Sequence, residues 1–337
     1  MKKLLLSSAI FLLLSPITYS QIFWKIAADA GIYESIDNED SESSPEASFD
    51  GTVGFRFKDS SGSGLMKLRV NPEILGLTER ISSLRIKGDG NFLHKMNNFD
   101  LGLTISGNKY SVSKSGAEFN YNYYLISVDF IKSLSRTQTI ISRIGYSGID
   151  AKNGRAQSGD NQFISVRASD ISIPGINFSY GIYLEKFHLE ENIQFLVSDK
   201  LLNGTKAGLE LSASYLGSVY AKADYRFLLL NTKITQFKST ENYLRLAAGK
   251  NLTTNLTAMV LVDAYFQNLK YKQNISNENK IILPGSFENR IFGKLNFALK
   301  KDLDFYIKTG YSKLIYNSTS SKIEGWNISV GVEITKN

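Results

Sequence analysis

The sequence predicts an all-β protein, an antiparallel up-and-down transmembrane β-barrel of about 16 strands, within a range of roughly 12 to 18. Three observations support this fold class. Apolar and polar residues alternate with a period of two over many segments, which is the side-chain period of a β-strand. The connections between these segments alternate between short and long. The N-terminus has the composition of an export signal.

The N-terminal segment has the order of features of a secretory signal peptide. Two lysines precede an apolar run over residues 4–14, and small or polar residues follow as far as Ser20. This run is too short for a membrane-spanning helix, which needs about 20 apolar residues. We therefore expect residues 1–20 to be a signal peptide and residues 21–337 to form a single outer-membrane barrel domain.

Composition excludes several classes of protein. The chain has no cysteine, which excludes disulfides, thiolate metal sites and a lipid-modified cysteine. Its formal net charge is +7, but the charges are spread singly along the strands instead of forming a basic patch. We therefore expect no nucleic-acid partner and no cofactor, and we expect membrane lipid and lipopolysaccharide as the neighbours of an exported basic protein.

Residues 219–229 show the strand pattern most clearly. Every second residue from Val219 to Leu229 is apolar, and the residues between them are mostly charged or polar. A helix would scatter these charges into its apolar face, so the pattern indicates a strand with one apolar and one polar face. The same alternation occurs at residues 207–215, 291–299, 303–312 and 326–334.

The connections divide into two groups, as they do in membrane barrels with short turns on one side and longer loops on the other. Short connections are predicted at residues 131–136, 216–218, 250–253 and 300–302. Long polar connections are predicted at residues 35–47, 150–161, 189–203 and 271–286. Because proline lacks a donor for the strand ladder, loops or turns are also expected at Pro45, Pro72, Pro174 and Pro284. Residues 72–96 and 193–197 leave the strand count open by one or two.

A period of two does not by itself exclude a soluble exported β-sandwich, which remains the alternative fold. The length of the chain without a linker and the segments of ten or more residues favour the barrel. Tyrosines near the segment ends are expected to form aromatic girdles at the two membrane interfaces. These are Tyr110, Tyr121, Tyr123, Tyr146, Tyr265, Tyr271, Tyr311 and Tyr316.

In its signal, alternation and turn asymmetry, the chain resembles the outer-membrane β-barrel class of Gram-negative bacteria. That class often ends in a strand that closes on a terminal aromatic residue. Here residues 326–334 alternate correctly, but polar residues follow Ile334. General diffusion porins are similar in size and carry a long third outer loop, whereas the corresponding connection, residues 113–116, is short. Either the count is shifted or the protein is not an ordinary porin. The resemblance implies an outer-membrane location and insertion by the barrel-assembly machinery.

Ionisable residues on the polar strand faces are the candidates for lining the lumen. A wet, mildly basic lumen would pass small polar solutes. Alternatively, charges of mixed sign pair across strands inside a narrow or plugged barrel. The candidates are Arg143, Arg167, Glu210, Lys222, Asp224, Arg226, Arg245, Asp263, Lys294, Asp304 and Lys308.

The sequence therefore favours a non-enzymatic passive channel for small polar solutes. The first alternative is a non-conducting structural, adhesive or assembly-factor barrel that binds a partner through its loops. An outer-membrane enzyme would have to rely on His94 or His188, and neither lies in a catalytic motif. The acidic residues 34–46 lack the spacing of a calcium loop and are expected to form a solvated surface loop. The oligomeric state is left open.

Overall fold

The computed structural model describes nine ranges of the chain. Within these ranges, sixteen strands form one closed sheet in which each strand is antiparallel to both neighbours. Strand β1 pairs with β16 from Trp24 opposite Lys336 to Ser35 opposite Gly325, so the sheet has no open edge. The predicted fold class and strand number are confirmed. The described ranges are residues 20–37, 40–58, 62–77, 81–114, 117–152, 158–190, 201–272, 288–317 and 321–336.

The strands have 12 to 19 residues, more than the 9 to 11 that a tilted strand needs to cross a membrane. Their bounds are β1 Ser20–Asp37, β2 Asp40–Lys58, β3 Gly62–Leu77, β4 Ile81–Met96, β5 Asp100–Lys114, β6 Ala117–Ser133, β7 Gln138–Lys152, β8 Gly159–Asp170, β9 Ile176–Glu190, β10 Leu201–Leu216, β11 Tyr220–Thr232, β12 Ser239–Asn251, β13 Leu256–Asn268, β14 Glu288–Lys300, β15 Leu303–Asn317 and β16 Ser321–Lys336.

The connections define two ends of the barrel. At the end where β1 begins and β16 ends, called the turn end, the strands are joined by residues 59–61, 97–99, 134–137, 171–175, 217–219, 252–255 and 301–302. At the opposite end, called the loop end, they are joined by residues 38–39, 78–80, 115–116, 153–158, 191–200, 233–238, 269–287 and 318–320. The four predicted short connections agree with these bounds. The predicted long connections at residues 150–161, 189–203 and 271–286 lie largely outside the described ranges. Residues 193–197 lie outside the described ranges.

The predicted long loop at residues 35–47 is wrong. Strand β1 continues to Asp37, β2 begins at Asp40, and the two strands are paired along this whole segment. This segment resembled a loop because both of its faces are polar: Glu42, Ser44 and Glu46 lie on the inner face of β2, where polar side chains are normal in a membrane barrel, and Ser41 and Ser43 alternate with them on the outer face. Ser44 and Glu46 are both buried there. The expectation of a solvated loop at residues 34–46 is wrong for the same reason.

Two of the four proline predictions are also wrong. Pro45 lies inside β2 opposite Ile32, and Pro72 lies inside β3 opposite Ile86. Each proline removes one donor from the ladder, and strands of 19 and 16 residues retain the remaining hydrogen bonds. Pro174 lies in the turn between β8 and β9, as predicted, and Pro284 is outside the described ranges.

The wall is apolar on its outer face and mostly polar inside. On β9, the outward Ile182 and Leu184 are 53% and 48% exposed, whereas the inward Tyr183 and Glu185 are 4% and 6% exposed. A soluble protein buries its apolar face, so this reversed pattern is typical of a barrel surrounded by lipid. Among the described residues, no helix is long and apolar enough to cross a membrane.

Candidate functional site: the barrel interior

All eleven candidate lumen residues lie on the inner faces of their strands. Glu210, for example, lies between Leu209 and Leu211, which are exposed on the outer face. Ten of the eleven form ion pairs, and Asp304 is the one for which the described residues provide none. The pairs with nitrogen–oxygen distances are Arg143–Asp129 at 2.6 Å, Arg167–Glu210 at 3.9 Å, Arg226–Glu210 at 3.8 Å, Lys222–Asp224 at 2.9 Å, Arg245–Asp263 at 2.6 Å, Lys294–Glu333 at 3.0 Å and Lys308–Asp29 at 3.7 Å.

Burial on the inner face changes along the barrel axis. On β11, Leu228, Leu230 and Thr232 near the loop end are buried, whereas the side chain of Lys222 near the turn end is 41% exposed. On β12, Glu241 is buried and the side chain of Arg245 is 46% exposed. We call these two zones the loop half and the turn half of the interior. Side chains are packed together in the loop half, whereas the turn half also carries partly exposed charged side chains such as Lys222 and Arg245.

The loop half contains a charged triad of inward side chains on β9, β10 and β12, where Lys206 stands opposite Glu185 and reaches Glu241 across β11. Lys206 Nζ lies 3.0 Å from Glu185 Oε1 and 3.1 Å from Glu241 Oε2, and all three side chains are at most 6% exposed. The Tyr183 hydroxyl donates to Glu185 Oε2 at 2.5 Å, and Gln267 Nε2 donates to Glu241 Oε1 at 3.1 Å. The hydrogen bonds compensate for the cost of burying the carboxylates. We call Glu185, Lys206 and Glu241 the buried triad.

Apolar side chains fill the rest of the loop half in three clusters. One of them extends over several neighbouring strands, since Phe163 on β8, Tyr183 on β9 and Leu228 on β11 form its buried part and Leu125 on β6 packs against it. Sixteen strands enclose a space wide enough for an aqueous channel, and inward apolar side chains of this size reduce its open width in the loop half. The clusters are Tyr33, Leu75, Tyr110 and Val112; Phe187, Leu189 and Leu230; and Phe163, Tyr183 and Leu228.

In the turn half, charges pair in a more open setting. Asp263 accepts hydrogen bonds from Arg245 Nε at 2.6 Å and from Arg290 Nε at 2.7 Å. Glu333 lies 2.7 Å from Lys25 Nζ and 3.0 Å from Lys294 Nζ. Each of these carboxylates therefore has two cations, which gives this part of the wall a basic balance.

Arg226 links the two halves. Its guanidinium lies over the Tyr183 ring, 4.9 Å from the centroid, and over the Tyr243 ring at 5.8 Å. Cation–π contacts of this kind hold the guanidinium in a fixed position. Because Tyr183 also hydrogen-bonds to Glu185, Arg226 borders the buried triad on the side that faces the turn half.

The predicted tyrosine girdles are wrong for four of the eight tyrosines. Tyr110 and Tyr121 stack inside the barrel with ring centroids 5.3 Å apart, and Tyr123 and Tyr265 also lie on inner faces. Tyr146 and Tyr311 lie on the outer face, where they contact Tyr124 and Trp326. Residue type alone does not indicate the face of the strand on which a tyrosine lies. The alternation does indicate it, because a tyrosine an even number of residues from an outward apolar residue lies on the outer face. Tyr271 follows β13 and forms an isolated β-bridge with Thr235. The side chain of Tyr316 lies outside the described part of the structure.

Both histidines lie on the outer face. His94 packs beside the Phe57 and Phe92 rings, with centroid distances of 5.9 Å and 6.2 Å. His188 on β9 hydrogen-bonds to Asn203 on β10. These surroundings belong to the outer wall and are separate from the lumen. In the described part of the chain, no group of three or more histidine or acidic side chains is arranged to hold a metal ion.

Comparisons with known proteins agree with this geometry at the level of the fold. No protein-family model matches the chain, and no curated protein matches it in sequence. Among solved structures, CdiB from Acinetobacter baumannii matches with a TM-score of 0.50 and 11% identity over 94% of this chain. The chain spans 60% of the length of CdiB.

Two further matches have similar coverage. Outer-membrane-expressed OmpT of Vibrio cholerae matches with a TM-score of 0.46 and 10% identity, over 94% of this chain and 97% of that one. OccK11 (OpdR) of Pseudomonas aeruginosa matches with a TM-score of 0.44 and 10% identity, over 94% and 96%. These matches are outer-membrane β-barrels. The chain has the fold of a Gram-negative outer-membrane β-barrel.

Proposed function

We propose that the protein is a passive channel for small polar solutes in a bacterial outer membrane, with its narrowest section in the loop half. The observation that supports this proposal is the gradient of burial along the inner face, which is closely packed in the loop half and carries partly exposed charges in the turn half. Water-accessible side chains such as Lys222 and Arg245 form a vestibule at the turn end. The buried triad and the apolar clusters then limit the size of any solute that passes.

The proposal includes export and the surroundings of the barrel. Residues 1–20 direct export, the barrel-assembly machinery inserts the chain, and the apolar outer face contacts lipid and lipopolysaccharide. No catalysis, cofactor or nucleic acid is involved. Because most lumen charges are paired with a charge of opposite sign, selectivity between anions and cations is expected to be weak.

A second candidate is a non-conducting barrel that binds a partner through its loops. It is favoured by the same packed loop half, because inward side chains there are buried against one another, as in the cluster of Phe163, Tyr183 and Leu228. The two candidates differ in whether ions pass the buried triad.

Single-channel conductance of the refolded protein in a planar bilayer separates the two candidates. Steady, salt-dependent steps are expected from a channel, and Arg226→Ser should raise its permeability ratio of cations to anions. Lys186→Ser is the matched control, since Lys186 follows Glu185 directly but points outward, and it should leave this ratio unchanged. A barrel that is folded by heat-modifiable gel migration but gives no conductance supports the second candidate instead.

A further inference from the structure

One row of inward positions crosses the seam between the first and last strands. In this row Lys308, Ser329, Gly31 and Glu46 stand opposite one another on β15, β16, β1 and β2. A β-carbon at Gly31 would lie 2.7 Å from the β-carbon of Ser329, so the wall at this point requires glycine. The position between Ser329 and Glu46 therefore has no side chain of its own. Asp29 lies on the same face of β1, two residues toward the turn end.

Three side-chain oxygens around this position lack a protein partner. Asp29 Oδ1, Glu46 Oε2 and Ser329 Oγ are buried, and no described part of the protein hydrogen-bonds to them. Glu46 is 2% exposed and Ser329 is 1% exposed. Buried polar atoms are nearly always satisfied by protein, water or an ion, because leaving them unpaired is costly.

The other carboxylate oxygens are occupied. The Tyr306 hydroxyl donates to Asp29 Oδ2 at 2.9 Å, and Asn327 Nδ2 donates to Glu46 Oε1 at 2.9 Å. Lys308 Nζ is 3.7 Å from Asp29 Oδ2 and 3.8 Å from Glu46 Oε1, beyond the roughly 2.7–2.9 Å of a charge-assisted hydrogen bond. Two negative charges therefore share one loosely placed lysine, and each carboxylate has one oxygen left for another ligand.

We propose that Asp29, Glu46 and Ser329 bind a divalent cation, Ca²⁺ or Mg²⁺. Carboxylate and hydroxyl oxygens without nitrogen or sulfur donors are the ligands that hard cations prefer, and water from the interior completes their coordination. The cation balances the second negative charge of Asp29 and Glu46, which share only Lys308. Since its ligands come from β16, β1 and β2, it also links both sides of the closing seam. The proposal is independent of whether the barrel conducts.

The test is the unfolding temperature of the refolded protein in detergent, measured in EDTA and across titrations with Ca²⁺ and Mg²⁺. A ligand that binds only the folded state raises this temperature with its concentration. Ser329→Ala and Glu46→Gln are each expected to weaken the apparent affinity by about tenfold or more, since even residues that only hydrogen-bond to a metal ligand contribute about 10–100-fold. Glu333→Gln is the matched control, because Glu333 is also an inward carboxylate of the seam but is already paired with Lys25 and Lys294.

Lys308→Met separates a cation site from a simple ion-pair cluster. Removing the competing positive charge is expected to tighten Ca²⁺ or Mg²⁺ binding about tenfold. In a simple ion-pair cluster, the same variant would lose stability without gaining any dependence on the cations. Equal unfolding temperatures in EDTA, Ca²⁺ and Mg²⁺ would overturn the proposal and assign the free oxygens to water. Equal weakening by Glu333→Gln and Glu46→Gln would overturn the choice of ligands.

Discussion

Replacing Lys206 with methionine is expected to destabilise the barrel by about 3–5 kcal/mol, the usual cost of breaking a buried ion pair. The structure supports the upper part of this range. Lys206 lies 3.0 Å from Glu185 and 3.1 Å from Glu241, and the three side chains are 4%, 4% and 6% exposed. Methionine has a similar volume but no charge, so it would leave two buried carboxylates close together without a cation.

Lys222→Met is the matched control for this prediction. Lys222 Nζ lies 2.9 Å from Asp224, nearly the same distance as in the buried triad, but these side chains are 41% and 28% exposed. Water solvates the charges in this pair, so the loss is expected to stay below about 1 kcal/mol. The difference between the two variants therefore measures the effect of burial.

The triple variant Glu185→Gln, Lys206→Met, Glu241→Gln removes all three charges together. It should regain most of the stability lost in Lys206→Met, because no uncompensated charge stays buried. The assay is urea unfolding in lipid vesicles, with the folded fraction read from gel migration of unheated samples. A loss below about 1 kcal/mol for Lys206→Met would show that the buried carboxylates do not depend on this cation. A triple variant as unstable as the single one would show that uncompensated charge is not the cause of the loss.

Three other substitutions test the wall, with the same unfolding assay. Ile182→Arg, on the outer face, should lower the free energy of unfolding by about 2–4 kcal/mol if the residue lies near the membrane midplane. Ser179→Arg, on the inner face, should lower it much less, and equal losses would contradict the assignment of faces. Gly204→Val should lower the free energy of unfolding by about 1–3 kcal/mol, because a β-carbon there would lie 2.2 Å from the Phe187 ring. If this contact is the cause, adding Phe187→Ala to the Gly204→Val variant should restore part of the loss. Gly175 has a φ of 77°, so Gly175→Ala should cost about 1–2 kcal/mol, and an unchanged stability would show that this turn relaxes.

The sequence was sufficient for the fold where lipid imposes a strict pattern. On β11, the alternation of Ala221 and Ala223 with Lys222 and Asp224 could arise only in a strand with one apolar and one polar face. It was insufficient near the loop end, where strands extend beyond the length needed to cross a membrane. There the residues at 35–47 are small and polar on both faces and resemble a loop.

The candidate site was predictable by face but not by depth. Parity along each strand placed all eleven candidate residues inside, because each alternates with outward apolar residues. Parity carries no information about height along the barrel or about contacts between distant strands. For this reason the sequence did not indicate the buried position of Lys206, or the packing of Leu125 on β6 against the cluster of Phe163, Tyr183 and Leu228.

Single-cysteine labelling along β11 tests directly whether the barrel has a lipid-facing outer wall and a packed loop half. The natural chain has no cysteine to interfere. Cysteines are placed one at a time in the vesicle-reconstituted protein, which is then exposed on both sides to a small membrane-impermeant thiol reagent. We expect rapid labelling at Lys222 and Asp224, protection by lipid at Ala221 and Ala223, and protection by packing at Leu230. Equal labelling at Ala221 and Lys222 would contradict a lipid-facing outer wall, and rapid labelling at Leu230 would contradict a packed loop half.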